Sequence, residues 1–406
     1  MKRIILTIAA AAFLVSCSHD ESESIPEVNN QDMTLLSPQQ KEYVNKNNDF
    51  AIGLYKKVAV KADENVVMSP LSATFALGML NNGAAGQTLE EISRGLGFGG
   101  GNASAVNDFC RKIWKGAQQS DNTTSVDMAN AILMNQPYEL QKEFKDIVTK
   151  NYGAEVQNMD FAAPSTLEYI NKWASDKTHG MISPLLEKID EKAVSYIMNA
   201  LYFKGTWSTK FEKENTWEDI FTKESGEQIP VMMMNQVGNF RHNGNKVFRT
   251  LCIPYGNGSY QMVMLLPEAG SKISDILSMM DGKKWQENLD GCQTGELNVK
   301  IPKFSIEYSK RMNDPLKELG MRSMFDSNLA TFPKFCNTGV FVSEVFQKAK
   351  IVVDEEGTEA AAVTVIGMSN SAGSDSNLFY ADHPFLYAIV EQSTGTIFFM
   401  GQYAGN

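Results

Sequence analysis

Residues 193–203 constrain the fold more than any other stretch because they are largely apolar on both faces. A strand with two apolar faces must be covered on both sides, so it belongs in the middle of a sheet. Further strand-like runs follow it at residues 261–266, 297–304, 340–353, 385–390 and 396–403, with a helical stretch at 315–321. The chain is helix-rich early and strand-rich late, which predicts one α+β domain.

Two capping-box patterns mark predicted helix starts. Ser37 is followed directly by Pro38 and, three residues on, by Gln40, while Thr88 is followed by Glu91. Proline suits the first helical turn, where its missing N–H would have had no partner. We therefore predict that a single folded domain begins at residue 37 and extends to residue 406.

The first 16 residues have the pattern of a signal peptide. Lys2 and Arg3 precede an apolar run at residues 4–15, which is too short to span a bilayer. The run ends in Leu-Val-Ser before Cys17, which resembles the lipobox of bacterial lipoproteins. The resemblance implies cleavage before Cys17 and lipid attachment to that residue. A secreted protein with a chance cysteine is the alternative.

Residues 17–36 are predicted to form the lipidated start and a flexible acidic tether. Residues 18–23 read SHDESE. A serine followed by acidic residues resembles the signal that sends lipoproteins to the outer surface in one Gram-negative phylum. We therefore expect an outer-membrane lipoprotein that is exposed at the cell surface. A plain solvated tether would have the same composition.

Composition and motifs argue against several classes of function. The net charge of −11 disfavours nucleic acid as a partner, because phosphate backbones are anionic. The four histidines occur at no metal-ligand spacing, and the sequence has neither a GxSxG nor a Walker-type glycine motif. We expect no metal, no cofactor and no enzymatic activity. Catalysis by residues that are distant in sequence stays open.

The remaining cysteines give no sign of a metal or redox site. They are isolated rather than paired as CxxC, which disfavours a zinc knuckle or a thioredoxin-like centre. Isolated cysteines in a long chain are usually small buried hydrophobes, although disulfides stay open. The four positions are Cys110, Cys252, Cys292 and Cys336.

The segment at residues 357–379 differs from the rest of the domain. It reads GTEAAAVTVIGMSNSAGSDSNLF, with small residues first, flexible polar residues later and no proline. A connection of this length is either functional or disordered. With the acidic residues before it, the block DEEGTEAAAVT at 354–364 resembles the reactive-loop hinge of inhibitory serpins.

The resemblance to the serpin family extends over nearly all of residues 37–406. It is carried by ordered blocks, each weak alone: NVVMSPLS at 65–72, INKW at 170–173, NALYFKGTW at 199–207, IPY at 253–255, MLLP at 264–267, IPKF at 301–304, LGM at 319–321, HPF at 383–385 and FFMG at 398–401. It implies a single-domain serpin fold with three β-sheets, about nine helices and an exposed reactive loop at about residues 355–379.

The resemblance implies a suicide inhibitor of serine proteases. The target cleaves the reactive loop and forms an acyl-enzyme. The freed loop then inserts into a sheet before hydrolysis is complete, so that the protease is displaced and distorted. The expected partners are target serine proteases, held covalently, with cysteine proteases as possible secondary targets. We expect a monomer that is attached to the membrane through its lipid.

The hinge suits insertion into a sheet centre, where alternate side chains are buried and proline is excluded. The alternating set that starts at Thr358 is small or apolar, while the other set has one charge, at Glu359. Gly357 permits a backbone reversal. The β-branched residues at 363–366 argue against an alanine-rich helix. The predicted hinge residues are Glu355, Gly357, Thr358, Glu359, Ala360, Ala361, Ala362, Val363 and Thr364.

Other positions match control points of the family. Ser69, Ser72 and Asn199 match the shutter, whose hydrogen bonds govern opening of the large sheet. Trp207 matches the breach, where the loop first enters. Many serpins have a shutter histidine at the position of Gln347. Glutamine donates and accepts hydrogen bonds but does not titrate, so a histidine-type pH switch is not expected.

The usual hinge length of the family places the bait bond between Ser371 and Ala372, the seventeenth and eighteenth residues counted from Glu355. The bond between Met368 and Ser369 is the rival, since a long side chain fills a protease pocket better. Cleavage there would shorten the inserted strand by three residues. Small residues favour elastase-like or subtilisin-like targets. Residues 357–379 contain no Lys or Arg, which disfavours trypsin-like targets.

The main alternative is a non-inhibitory serpin that acts as a surface binding module and whose loop is cut without inserting. A surface hydrolase and a glycan-binding lipoprotein are weaker alternatives. The sequence shows no hydrolase motif and no segment rich in binding aromatics.

The lipid anchor is testable by a cysteine substitution. In a Gram-negative host that processes lipoproteins, Cys17→Ser should abolish incorporation of an alkyne-tagged fatty acid, because the acylated position is lost. The chain should also move from the membrane fraction to the soluble fraction. Cys110→Ser is the matched control and should keep its label. Equal labelling of Cys17→Ser and the wild type would contradict the prediction.

Overall fold

A computed structural model of the chain describes residues 37–405, except 102, 118–119, 137 and 359–377. The described residues form nine α-helices and fifteen β-strands, in agreement with the predicted α+β class. The helices are α1 (Pro38–Val58), α2 (Pro70–Gly83), α3 (Gly86–Gly95), α4 (Ala103–Ala117), α5 (Lys142–Tyr152), α6 (Pro164–Lys177), α7 (Ile273–Met279), α8 (Gly282–Asp290) and α9 (Asn313–Glu318).

The strands lie mostly in the second half of the chain, as the sequence predicts. They are β1 (Val66–Met68), β2 (Thr124–Asn135), β3 (Glu155–Met159), β4 (Ser195–Thr206), β5 (Thr216–Thr222), β6 (Gln228–Gly244), β7 (Phe248–Tyr255), β8 (Tyr260–Pro267), β9 (Gln293–Pro302), β10 (Phe304–Arg311), β11 (Phe346–Asp354), β12 (Gly357–Thr358), β13 (Leu378–Tyr380), β14 (Phe385–Glu391) and β15 (Thr396–Tyr403).

The first predicted helix start is confirmed and the second is wrong. The Ser37 hydroxyl accepts from the Gln40 N–H and the Gln40 amide accepts from the Ser37 N–H, which makes a reciprocal capping box. Helix α3 begins at Gly86, before Thr88. Thr88 and Glu91 instead bind backbone further along the chain: Thr88 accepts from the Thr331 N–H, and Glu91 from the N–H groups of residues 322 and 323.

The strand predicted from residues 193–203 is the central strand β4 of a six-stranded sheet. The order of this sheet is β10-β11-β12-β4-β2-β3. β4 pairs with β2 in antiparallel register along its length, from Ser195 opposite Met134 to Gly205 opposite Thr124. Its other side meets the two-residue strand β12, which separates it from β11.

The other strands form a network in the order β1-β15-β14-β8-β7-β6-β9-β13, with β5 paired to β6. The 17-residue strand β6 belongs to two parts of this network. Its first half pairs with β5 and its last four residues pair with β7, while β9 pairs along its middle. The three expected sheets are therefore the six-stranded sheet and two parts that share β6.

The predicted strand at residues 340–353 is too long. Only its second half forms β11, which starts at Phe346. In the preceding residues the Asn313 side chain donates to the Ser343 carbonyl at 2.9 Å and accepts from the Val345 N–H at 2.8 Å. These side-chain bonds replace ladder bonds, so the apolar pattern alone overstates the strand.

The buried interior is apolar and contains all four described cysteines as free thiols. The Sγ atoms of Cys252 and Cys292 lie 3.9 Å apart, far beyond the length of a disulfide, which is about 2.05 Å. Within the described ranges, no helix is long and apolar enough to cross a membrane.

The close packing of β15 against its neighbours is testable at Gly401. A Cβ there would lie 2.3 Å from the Val66 carbonyl oxygen and 2.4 Å from the Tyr387 ring. Gly401→Ala should lower the free energy of unfolding by about 1–3 kcal/mol through overpacking, as measured by chemical denaturation. Gly339→Ala is the matched control, because nothing lies within 4 Å of its Cβ. Equal stability of the two variants would contradict this packing.

Candidate functional site

The chain reverses direction between β11 and β12 in a two-residue turn formed by Glu355 and Glu356. The Asp354 carboxylate closes the turn by accepting from the Glu356 N–H at 2.9 Å. Gly357 follows with φ of 151°, and a Cβ there would lie 2.0 Å from the Gly205 carbonyl oxygen. The predicted pivot thus occupies a position that only glycine fits.

The first residues after this turn already lie inside the six-stranded sheet. Gly357 is opposite Thr206 of β4, and Thr358 is opposite Gly205 of β4 and Val353 of β11. The Thr358 side chain is buried, and its hydroxyl lies 2.5 Å from the Tyr255 hydroxyl. The alternating set that starts at Thr358 therefore begins on the interior face.

The buried residue Trp207 binds the turn through two hydrogen bonds. Its indole Nε1 donates to the Asp354 carbonyl at 2.8 Å, and its backbone N–H donates to the Glu356 carbonyl at 2.9 Å. Its ring stacks on Tyr255, with centroids 4.4 Å apart and planes 11° from parallel. One buried side chain thus contacts both the turn and the tyrosine that binds Thr358.

The three carboxylates of the turn lie in different environments. Glu355 is buried beside the Lys303 ammonium at 2.7 Å. Burial alone would raise the pKa of Glu355, but the hydrogen bond and charge of Lys303, together with further hydrogen bonds to the carboxylate, hold this pKa below its ordinary value. Burial raises the pKa of Asp354, whereas the more exposed Glu356 pairs with Lys210.

Beyond β12, the space between β4 and β11 holds no described strand. In the described chain β12 is the neighbour of both β4 and β11, and no ladder joins those two strands directly. A cavity of about 370 Å³ lies between residues 195–199 of β4 and 346–349 of β11, and side chains of α2 also line it. We call the space between residues 195–204 of β4 and 346–352 of β11 the slot.

The predicted shutter residues Ser69, Ser72 and Gln347 form one hydrogen-bonded group at the slot. The Ser69 hydroxyl accepts from the Ser72 N–H at 3.1 Å, which caps α2, and donates to the Phe398 carbonyl at 2.8 Å. Gln347 donates to the Ser69 carbonyl at 2.7 Å and accepts from the Ser69 N–H at 3.2 Å. An amide, which does not titrate, thus ties β11 to the start of α2.

Asn199 lies on the β4 side of the slot in a separate network. Its side-chain amide donates to the side-chain Oδ1 of Asn130 at 2.7 Å, and the Asn130 side chain donates to the Tyr152 backbone carbonyl at 2.7 Å. The Asn199 Oδ1 atom is buried and has no hydrogen-bond partner in the described part of the chain. A buried acceptor without a donor is costly, so this atom favours an arriving donor.

Several predicted site residues lie outside the described residues. They are Cys17, Glu359, Ala360, Ala361, Ala362, Val363, Thr364, Met368, Ser369, Ser371 and Ala372.

Three residues that form hydrogen bonds in the site were assigned no role from the sequence: Lys303, Tyr255 and Asn130. The first two stand in blocks that resemble the family, but their partners Glu355 and Thr358 are distant in sequence. No local pattern marks Asn130.

The chain is similar to known proteins in both sequence and fold. A family model described as Serpin (serine protease inhibitor) matches residues 45–405. Iripin-3 of Ixodes ricinus is 32% identical over 364 residues, which cover 87% of this chain and 92% of that protein. The native-state structure of the thermophilic serpin tengpin has a TM-score of 0.82 at 30% identity, covering 91% of this chain and 95% of that one.

Thyroxine-binding globulin in complex with thyroxine has a TM-score of 0.81 at 24% identity. The match covers 90% of this chain and 99% of that one, and it shows the fold alone.

The buried ion pair of the turn is testable at Lys303. Lys303→Met leaves the buried Glu355 carboxylate without its cationic partner, and should lower the free energy of unfolding of the uncleaved protein by about 3 kcal/mol. Because the pKa of Glu355 is lowered, the stabilisation is present above the ordinary carboxylate pKa. It is lost as the pH falls through the lowered value. Denaturant titrations at several pH values measure both effects.

Lys210→Met is the matched control for this pair. Lys210 binds the other turn carboxylate, Glu356, where both side chains are substantially exposed. Its removal should cost less than about 1 kcal/mol. Similar losses for the two variants would show that burial of Glu355 does not matter.

Proposed function

The chain belongs to the serpin family, and on that basis we propose that it is a suicide inhibitor of serine proteases. After cleavage, its reactive loop would insert into the slot as a new strand and displace the bound protease. No residue of the chain acts as a catalyst in this mechanism, since the loop serves as a substrate.

The proposal rests on the position of β12, which lies at one end of the slot between β4 and β11. Gly357 and Thr358 already pair with both flanking strands. If the same register continues after cleavage, Ala360 comes to lie between Phe203 and Ile351, which are both buried. A small side chain fits there without a clash, and each further residue adds backbone bonds on both sides.

The same register brings Thr364 opposite Asn199 on one side and Gln347 on the other. These are the shutter residues whose side chains border the slot. A threonine hydroxyl between them could donate to the unpartnered Asn199 Oδ1. Insertion would thus satisfy a buried acceptor, which supports insertion along the whole length of the slot.

The length of β4 also bears on the bait bond. In the continued register, Met368 comes opposite Ser195, the first residue of β4. Cleavage between Ser371 and Ala372 would fill the slot and leave three residues beyond it. Cleavage between Met368 and Ser369 would leave none. The longer strand displaces the protease further, so we propose the bond after Ser371.

The proposed targets are elastase-like or subtilisin-like proteases, because the bait residues are small or apolar. Cysteine proteases are proposed as secondary targets. We further propose that the protein is a bacterial outer-membrane lipoprotein, anchored through Cys17 and exposed at the cell surface, where it would meet extracellular proteases. Here the support is the sequence pattern of residues 1–23.

A non-inhibitory binding module is the second candidate. It is favoured by the fold-level likeness to thyroxine-binding globulin, a protein described as binding thyroxine. The two candidates differ in what cleavage does. Loop insertion should raise the melting temperature strongly, whereas a loop that is cut without inserting should leave it nearly unchanged.

Trapping is testable with neutrophil elastase and trypsin on denaturing gels. The wild type should form a covalent complex with elastase and none with trypsin. Ala360→Arg should convert the inhibitor into a substrate, with more than a tenfold loss of trapped protease, because the charge would enter the core beside Phe203. Glu359→Arg is the matched control and should still trap, because in the continued register residue 359 would come opposite Lys204, which is exposed.

Clean cleavage of the wild type by elastase and by subtilisin, with no complex, would refute the inhibitor proposal. Equal trapping by Ala360→Arg and Glu359→Arg would refute insertion in the register of β12.

A further inference from the structure

Two buried cysteines lie next to each other in the core, outside the residues that line the slot. Cys252 belongs to β7, and Cys292 immediately precedes β9. Their Sγ atoms are 3.9 Å apart, and the two residues are 1% and 6% exposed. Because 40 residues separate them in sequence, no short motif marks the pair. The proposed inhibitory mechanism uses neither thiol.

Hydrogen bonds on both sides of the pair hold β7 close to the end of α8. Thr250, which points to the same side of β7 as Cys252, donates to the Asn288 side chain at 3.0 Å. Arg241 of β6, which is opposite Cys252, donates to the Leu289 carbonyl at 2.9 Å. These bonds connect the strand that contains one sulfur to the helix end that precedes the other.

A disulfide between these cysteines requires only a small movement. The two sulfur atoms would approach each other by about 2 Å to reach an S–S bond length of about 2.05 Å. Each sulfur atom moves when its side chain rotates about a single bond. The connection between α8 and β9, which contains Cys292, has exposed residues on both sides of the cysteine and can shift with it.

The two thiols differ in how readily they lose a proton. The Cys292 thiol donates to the Asn288 carbonyl at 3.3 Å, so its sulfur accepts the contact from the Cys252 thiol. This hydrogen bond and the Arg241 guanidinium lower the pKa of Cys292 against the opposing effect of burial. The same hydrogen bond, together with burial, raises the pKa of Cys252. Since the thiolate is the reactive form, Cys292 is the better nucleophile.

Cys292 is also the thiol nearer to solvent. Its neighbours Gly291 and Gln293 are exposed, whereas Leu251 and Ile253 on either side of Cys252 are buried. A protein disulfide would have to bring its own sulfur to the attacking thiolate, which requires access to the site. A small oxidant such as hydrogen peroxide needs much less space. The site therefore fits a peroxide.

We propose that Cys252 and Cys292 form a reversible disulfide when the folded protein meets a peroxide. The Cys292 thiolate attacks one oxygen of hydrogen peroxide, the O–O bond breaks, and Cys292 becomes a sulfenic acid. The released hydroxide takes up a proton and leaves as water. The Cys252 thiol then attacks the sulfenic sulfur, so that the S–S bond forms and the S–O bond breaks.

The second step releases another water, which takes the proton of the Cys252 thiol. Two thiols are thus oxidised to one disulfide, and one hydrogen peroxide is reduced to two waters. A dithiol such as dithiothreitol reverses the change by thiol–disulfide exchange.

The disulfide would join β7 to the start of β9. A cross-link between residues 40 apart in sequence restrains the unfolded chain, which stabilises the folded one. β7 also contains Tyr255 and Arg249, which contact Thr358 of the hinge and Leu378 of β13. The disulfide therefore secures the strand that contacts both ends of the reactive loop. The inference goes beyond the proposed function and does not depend on it.

Peptide mapping of the folded full chain tests the disulfide. Treatment with hydrogen peroxide, alkylation of the remaining thiols and digestion with trypsin should give residues 250–272 joined to residues 285–300. Dithiothreitol should separate the two peptides. Oxidation should also raise the melting temperature by about 5 °C.

Cys336→Ser is the matched control, because it removes a buried thiol outside the pair. It should form the same cross-link and show the same rise in melting temperature. If the folded wild type forms no cross-link between Cys252 and Cys292, whatever its other oxidation products, the inference is wrong.

A probe for sulfenic acid distinguishes the roles of the two thiols. Dimedone added with the peroxide should label Cys292 in the Cys252→Ser variant, because its sulfenic acid then has no thiol with which to condense. Cys292→Ser should show no label at Cys252 and no rise in melting temperature. Melting curves in dithiothreitol establish that each variant is folded.

Equal labelling of Cys252 in Cys292→Ser and of Cys292 in Cys252→Ser would overturn the assigned order of attack. If either variant does not fold, the cross-link in the wild type still decides whether the disulfide forms.

Discussion

The arrangement of the site depends on an opening in the centre of a sheet. Among the described residues, β4 is paired with β2 along its length, whereas its other side pairs only with the two residues of β12. A strand that entered the slot could form ladders with β4 and β11 at once. Each backbone bond adds roughly 1 kcal/mol net, and alternate side chains would be buried. If the proposed insertion takes place, it is therefore a strongly favourable step that the uncleaved chain has not yet taken.

The turn before β12 determines how this step could begin. Trp207 and the buried pair of Glu355 and Lys303 fix the turn, so Gly357 and Thr358 are already in register. Insertion would need no separate nucleation step, because β12 is already paired with both neighbouring strands. It could proceed one residue at a time, and each residue would add backbone hydrogen bonds. The opposite end of the loop is held in β13 by pairing with β9 and by the Arg249 bond to Leu378. Cleavage of the chain between the turn and β13 would free the hinge segment from the anchor at β13.

Much of the fold was predictable from sequence because its signals are local. The apolar run at residues 193–203 predicts the central strand β4, and Ser37 with Gln40 predicts the start of α1. Local signals failed where distant groups took over. Thr88 and Glu91 bind backbone more than 200 residues away rather than capping a helix. The Asn313 side chain likewise takes backbone bonds that the apolar pattern at 340–345 assigns to a strand.

For each contact in the candidate site, only one of the two partner residues was predictable from sequence. The turn residues and Trp207 follow from the resemblance to the family. Lys303 and Tyr255, which hold Glu355 and Thr358, become partners only when β7, β9 and β10 fold beside the hinge. The two-residue insertion of β12 between β4 and β11 is a property of the whole sheet, and no short segment encodes it.

The position of β15 has a consequence for the order in which the core assembles. This strand is buried throughout and lies between β14 and β1, which comes from the amino-terminal part of the described chain. Met68 of β1 pairs with Met400 of β15, so this part of the core forms only when two segments that are very distant in sequence meet. Contacts between distant segments form slowly, because the intervening chain loses entropy when its ends come together. This part of the core is therefore expected to close late in folding.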